Sequence, residues 1–500
     1  SARSMQLYEW LSSVASNRSS EKALVYRDTY LSWRGLLHRV DRRAQELHAL
    51  GIGPGAWVGL MLGNVPDFVI LALALSKIES VIVPLDPTTA NRELEMVLEA
   101  APLRALITRP RGGEGGQAAA GLPYYAGPVL PRPPAGPPSK FIPESRRRLQ
   151  GTLLTCGLYK RTTLTNLMPG PGEPEVVQLT ASVGGDPKGV VKTSANLEAS
   201  AEAIRKTLDA TAADRILCSL PLHGSYGFDF GLLTSLATGA TLFLEDEVAP
   251  KRIAKLLREQ RIDLFAGTPA LFGSLVRVPT VKPLKNGNAR FLSSGSALPA
   301  SIADAFQERF GVRLLSCYHS TQAGPLAIDR GGKDPEGVGR SFDGVELRVA
   351  GPKGDRLSAN ETGPIWVRSR ALSTVSVPKI HLPKRTDGIP IGGVDDGWLR
   401  TGDLGQQDKA GRMVITGRED DLVKVDGKRL ALGEVEGCLE AFPKVKAAQA
   451  RVITDDLGGP MVVARVVRAG VCRAEDIIDH CARNLAPYKV PRQIEFCEVI

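Results

Sequence analysis

The chain has 500 residues, 43% of them hydrophobic, enough for about three domains of the usual size and at least one sizeable core, which excludes a disordered, collagenous or disulfide-stapled protein. Its 63 Lys and Arg against 54 Asp and Glu leave a net charge of +9, suited to an anionic partner such as a phosphate-rich cofactor, an acidic protein or nucleic acid. Seven cysteines without CxxC spacing point to neither a disulfide framework nor a zinc site, and predict reduced thiols in a cytoplasmic protein.

In chain order, residues 1–5 lack the charged-then-apolar pattern of an export signal, and residues 1–4 read as an expression scar ahead of Met5. Residues 57–63 form a strand-like apolar run, followed by an apolar helix through Lys77 and a buried strand over 80–84. The most apolar stretch, 65–85, carries Asp67, Lys77 and Glu79, so it reads as core and no membrane partner is expected. A helix over 91–100 and a strand over 105–108 repeat the rhythm, which argues for an α/β domain with largely parallel sheets. Residues 109–138, rich in Gly, Pro and Ala, read as a surface loop.

The alternation resumes after Val176: a helix from about Ser194, a strand over 241–244, a helix over 249–260, a strand over 263–266 and a helix over 300–310 stopped by Gly311. Residues 324–417 read as a β-rich subdomain of short strands between Gly, Pro and Asp turns. The last eighty residues alternate helix (430–442, 474–485) and strand (445–453, 461–467) as a small α+β unit does. The predicted division is a large domain over 1–419 and a small mobile C-terminal domain over 420–500.

Residues 178–189, QLTASVGGDPKG, read as a small-residue turn between a strand and a helix start, where backbone N–H groups can approach a phosphate and Lys188 can add charge. No Gly-Lys-Ser/Thr spacing makes it a Walker loop, and on its own an ordinary glycine-rich turn explains it equally well. Three further segments accompany it: SGSALP at 294–299 ahead of a helix, YHSTQ at 318–322 following a strand, and WLRTGD at 398–403 leading to GREDDLVKVDGKR at 417–429.

In this order and spacing the segments resemble the adenylate-forming superfamily of acyl-CoA and aryl-CoA synthetases, carrier-protein-loading adenylation domains and luciferases. The resemblance covers nearly the whole chain, and residues 401–436 are its most specific part. It implies that Asp403 accepts hydrogen bonds from the ribose hydroxyls of AMP and that Arg418 binds ribose and phosphate oxygens, a role for a permanently charged fork. It further implies that Gly295 and Tyr318 pack on the adenine and that Lys188 and Thr321 belong to the nucleotide site. Asp420 would be the hinge of the C-terminal domain, and Lys424, Gly427 and Arg429 would lie near a pantetheine tunnel.

Three departures from the family pattern fall on the ATP half-reaction. Hydroxyl donors of the family's phosphate loop are replaced by Ala181, Val183 and Gly184, and Asp186 stands beside the expected triphosphate path. Each lost hydrogen bond to a charged group is worth about 1.5–3 kcal/mol. Gln322 takes the place of a glutamate that helps hold magnesium, so magnesium use is doubtful: a neutral amide brings no charge to a hard cation. The family's adenylation lysine belongs to a segment just beyond the point where this sequence stops, and a shortened chain explains that equally well.

The nucleotide cradle and the thioester-side elements are intact, so the first expectation is an acyltransferase that moves an acyl, preferably aryl, group from coenzyme A to the pantetheine thiol of an acidic acyl carrier protein, as in polyketide starter loading. Such transfer needs an oxyanion stabiliser and an attacking thiolate or relay nucleophile. Cys317 and His319, two apart on a strand, share a face and offer such a pair, although a buried cysteine is as readily a packing residue. His223, beside small Gly224 and Ser225, is expected near the substrate carboxylate. The alternatives are a conventional ATP-dependent aryl- or acyl-CoA ligase and a silent AMP- or CoA-binding scaffold. A nucleic-acid partner is not expected, because no aromatic-studded basic stripe accompanies the charge.

Overall fold

The structure is a computed structural model that describes residues 4–88, 103–108, 141–142, 157–161, 174–181, 187–279, 282–335, 337–351, 354–355, 357–374, 376–377, 394–395, 397–418, 423–425, 428–430, 432–455 and 459–497. The chain opens with helix Leu7–Asn17, hairpin strands Lys22–Tyr26 and Thr29–Ser32, and helix Trp33–Ala49. None of these was assigned from the sequence. The second helix nevertheless carries a readable core stripe, Trp33, Leu36, Val40, Ala44 and Leu47, and the Ser32 hydroxyl caps it by accepting from Gly35 N at 3.1 Å.

The predicted strand–helix–strand unit forms as Trp57–Met61, Pro66–Lys77 and Val81–Pro84. Every helix residue except Lys77 is buried, so this apolar stretch is core. Among the described residues no helix is long and apolar enough to cross a membrane. Strand Trp57–Met61 pairs in parallel with Val81–Pro84 and Leu103–Thr108, and Val81–Pro84 pairs in parallel with Pro174–Ala181, building the middle of an eight-stranded sheet. A nine-stranded sheet runs in parallel through Lys22–Tyr26, Thr241–Leu244, Arg215–Cys218, Leu264–Gly267, Arg290–Ser293 and Leu314–Ser320. Helices Ser194–Thr207, Pro250–Glu259 and Ala300–Phe310 alternate with these strands, the last stopped by Gly311 at φ 73°. Asn64 ties the segment after Trp57–Met61 to the segment after Arg215–Cys218: its Nδ2 donates to Leu220 O at 2.7 Å and its Oδ1 accepts from Leu222 N at 2.8 Å.

The β-rich part is a five-stranded sheet that includes Val345–Val349, Gly363–Ser369, Trp398–Gln407 and Met413–Arg418. The C-terminal unit packs helices Leu432–Glu440 and Ala474–Asn484 on a sheet of Val445–Thr454, Pro460–Arg468 and Gln493–Cys497, with a core of its own. The fold is therefore mixed α/β, as expected, with a large N-terminal part of parallel sheets.

Two local expectations are corrected. Strand Pro174–Ala181 pairs antiparallel with Pro187–Thr193, so the glycine-rich segment joins two strands of a hairpin, and the helix begins only at Ser194. Strand Leu314–Ser320 runs through Tyr318 and His319 instead of ending before them, with a register irregularity between those two residues. The helix expected over 91–100 and the loop over 109–138 lie outside the described residues.

Candidate active site

Strand Leu314–Ser320 positions the first cluster. Strands Trp398–Gln407 and Met413–Arg418 pair so that Asp403 and Arg418 are direct cross-strand partners, which places a carboxylate opposite a guanidinium. Arg418 Nη1 lies 2.5 Å from Asp403 Oδ1, and both side chains are largely buried. The Tyr318 hydroxyl donates to Asp403 Oδ2. Three residues expected at one site are thus brought together from three strands.

Gly295 follows strand Arg290–Ser293 with φ 101°, a backbone conformation that a side chain would strain. The Thr321 hydroxyl lies 2.9 Å from that of Ser225. Lys188 stands opposite Thr180 in the hairpin, and Lys424 opposite Arg429 in the small hairpin Val423–Val425/Lys428–Leu430, whose second strand lies beside strand Pro174–Ala181. Asp420 and Gly427 lie outside the described residues.

Gln322 is fastened to the segment that follows Gly363–Ser369. Its carbonyl accepts from Ser373 N at 2.8 Å and from Lys192 Nζ at 2.9 Å, and its amide Nε2 donates to Ser373 O at 3.2 Å. As a cation ligand it could offer only the neutral Oε1. Among the described residues no group of three His, Cys, Asp or Glu side chains could hold a metal ion.

The Cys317/His319 pair expected from the spacing does not form. His319 Nε2 lies 2.8 Å from Asp229 Oδ2 with both side chains buried, and the Cys317 thiol makes no hydrogen bond to the ring. The ladder to Gly324–Ile328 shifts register between Tyr318 and His319, with the extra residue on that partner strand, and the imidazole is taken by Asp229 instead of the thiol. Burial also pushes the Cys317 thiol far above its ordinary range, and that of Cys218 up to about 12, so neither is a ready thiolate. Cys218 is a packing residue, close enough to Gly231 that a β-carbon there would sit 2.7 Å from its sulfur. His223 Nε2 stands 3.3 Å from Asp86 Oδ2, and among the described residues neither ring nitrogen is in a hydrogen bond.

The sequence reading missed a second cluster. Lys192, 2% exposed, donates from Nζ to Gln322 O at 2.9 Å and to Ala371 O at 3.1 Å. Burial lowers its pKa to about 8, while the Asp229 charge works the other way. Asp229 thus faces both a buried ammonium and a buried imidazole, from a π-helical turn, Phe228–Leu233. A lysine on the same face of its strand as Val190 was the available signal, since alternation places it inward.

Residues 11–375 match the family described as AMP-binding enzyme, and residues 434–500 match the AMP-binding enzyme C-terminal domain. The chain belongs to the AMP-binding enzyme family. This AMP-binding enzyme is 24% identical to the indoleacetate–CoA ligase of Aromatoleum aromaticum over 99% of this chain and 94% of that one. It is 26% identical to a feruloyl-CoA synthase of Amycolatopsis over 95% of this chain and 92% of that one. Among solved structures, the amide bond synthetase McbA of Marinactinospora thermotolerans superposes with a TM-score of 0.79 at 25% identity, covering 99% of this chain and 96% of that one. The o-succinylbenzoate CoA synthetase of Bacillus subtilis, 20% identical over 100% of this chain and 96% of that one, shares the fold with a TM-score of 0.79.

Proposed function

We propose that this AMP-binding enzyme is an ATP-dependent acid–thiol ligase acting on a small aryl or acyl acid. The observation that carries this reading is the buried Asp403–Arg418 pair with the Tyr318 hydroxyl on the same carboxylate. The carboxylate of the acid attacks the α-phosphorus of ATP and expels pyrophosphate; a thiol then attacks the acyl carbon and AMP leaves with its electron pair. Asp403 holds the ribose, Arg418 offers a fork to ribose and phosphate oxygens, and Gly295, Thr321 and Lys188 complete the nucleotide side. Lys424, Gly427 and Arg429 serve the coenzyme A side, with Asp420 as the hinge of a C-terminal domain that begins there. Magnesium would arrive with the triphosphate, and Gln322 would offer it one neutral oxygen. The ligases among the relatives support acid–thiol chemistry, and the free thiols of the described cysteines suit a reducing cytoplasm.

A second reading is direct transfer from a coenzyme A thioester to an acyl carrier protein, favoured by the neutral Gln322 and by Ala181, Val183 and Gly184 at former hydroxyl positions. In that reaction the pantetheine thiol itself attacks the thioester carbonyl, because the burial of Cys317 argues against a cysteine relay. One experiment separates the two. Pyrophosphate release with ATP, coenzyme A and benzoate-type or fatty acids supports the ligase. A mass gain of the loaded carrier from acyl-CoA without ATP, and no pyrophosphate from any acid, overturns it in favour of transfer. Nucleotide binding with neither product reduces the protein to a scaffold.

A further inference from the structure

Gln178, on strand Pro174–Ala181, is 1% exposed, and among the described residues neither its Nε2 nor its Oε1 has a hydrogen-bond partner. A buried primary amide with both ends unpaired is rare in a folded protein and calls for a polar occupant. The hairpin register pairs Val176 with Lys192 and Gln178 with Val190, so Gln178 and Lys192 share one face. The ammonium of Lys192 is supported by the charge of Asp229, whose Oδ2 lies 2.8 Å from His319 Nε2. The other ring nitrogen of His319, Nδ1, makes no hydrogen bond among the described residues. Tyr226 and Phe230 place their ring centroids 5.6 and 5.9 Å from the imidazole, an aromatic setting beside the polar one.

The chemistry of the missing group follows. In the tautomer that donates Nε2–H to Asp229, the ring presents Nδ1 as an acceptor, and a group bound there brings a donor hydrogen. The charges of Lys192 and Asp229 offset each other, which favours a neutral group over an ion. Gln178 adds a donor and an acceptor, and a hydroxyl can meet a donor and an acceptor at once. We propose that Gln178 and His319, backed by Asp229 and Lys192, form the polar end of the acyl-group site and select an aryl acid that carries a neutral hydroxyl substituent. This rests on the acid-activation reading above.

The test compares benzoate and cinnamate with their 3- and 4-hydroxy and 3- and 4-methyl derivatives, by calorimetric binding to the full chain and by ATP-dependent pyrophosphate release. The wild-type protein should bind at least one hydroxy acid about tenfold or more tightly than its methyl counterpart, because a site built for a hydroxyl leaves its own polar groups unpaired with the analogue. His319→Phe and Gln178→Leu should bring that ratio towards one, and His319→Gln, which keeps an acceptor, should restore part of it. Equal or tighter binding of the methyl acids by the wild-type protein overturns the proposal without need of any variant, as does a preference that survives both His319→Phe and Gln178→Leu. Selective binding without pyrophosphate release overturns acid activation and leaves the subsite standing; release without selectivity does the reverse. Failure to bind any of these acids overturns the subsite.

Discussion

Tyr318 and His319 are neighbours on one strand, yet they serve two different environments. Tyr318 reaches a carboxylate whose guanidinium partner keeps a tenth of its side-chain surface exposed, whereas His319 reaches a carboxylate sealed beside an ammonium that is 2% exposed. The difference shows how charge is used on the two sides of the strand. In the first cluster opposite charges meet in direct contact. In the second a lysine is desolvated enough to lower its pKa, and carbonyl groups of two separate segments share its hydrogens.

Breaking the first cluster should have the largest consequence. Asp403→Asn strips the negative charge from both Arg418 and Tyr318, and pyrophosphate release should fall about 10²-fold or more in kcat/KM for ATP. Wild-type activity in that variant would remove the pair from the nucleotide site. Asp229→Asn leaves the Lys192 ammonium buried without a counter-charge, with an expected loss of about 3 kcal/mol of stability in urea titrations. Its KM for ATP should move much less than that of Asp403→Asn, and an equal loss in both would mean that the clusters are one unit.

A subtler effect concerns pH. The folded pKa of Lys192, about 8, lies below the ordinary 10.5, so between those values the unfolded chain holds a proton that the folded chain has released. Stability contributed by this group therefore rises with pH across that window, by about 3 kcal/mol at most, and is lowest and flat below it. Lys192→Met should flatten the rise relative to wild type; identical pH profiles would show that the ammonium is not desolvated. The smallest effect is expected at Cys317, where Cys317→Ala should change turnover by less than about threefold, since a buried thiol of raised pKa contributes packing and no nucleophile. Loss of activity in a variant that still folds would revive the relay.

The sequence was most legible where a segment's role is set by its own neighbours. Helix 300–310 and its stop at Gly311 matched to the residue, because the apolar stripe and a glycine at left-handed φ are local properties. Helices Leu7–Asn17 and Trp33–Ala49 were passed over although the second has a clear stripe. The Cys317/His319 expectation failed for a different reason: a shared strand face does not make two side chains partners, and Asp229, from a distant segment, takes the imidazole.

By itself the sequence determined the alternation of strands and helices and the family, since apolar periodicity and ordered motifs survive without coordinates. It also marked Asp403 and Arg418, which lie on successive strands joined by a short turn and need only that hairpin to meet. Only the tertiary structure decided that Lys192 and Asp229 share a buried charge network, and that Asp229 rather than Cys317 is the partner of His319, 90 residues further along the chain. Contacts of that separation depend on which strands pair and in what register, and desolvation of a charge depends on everything packed around it.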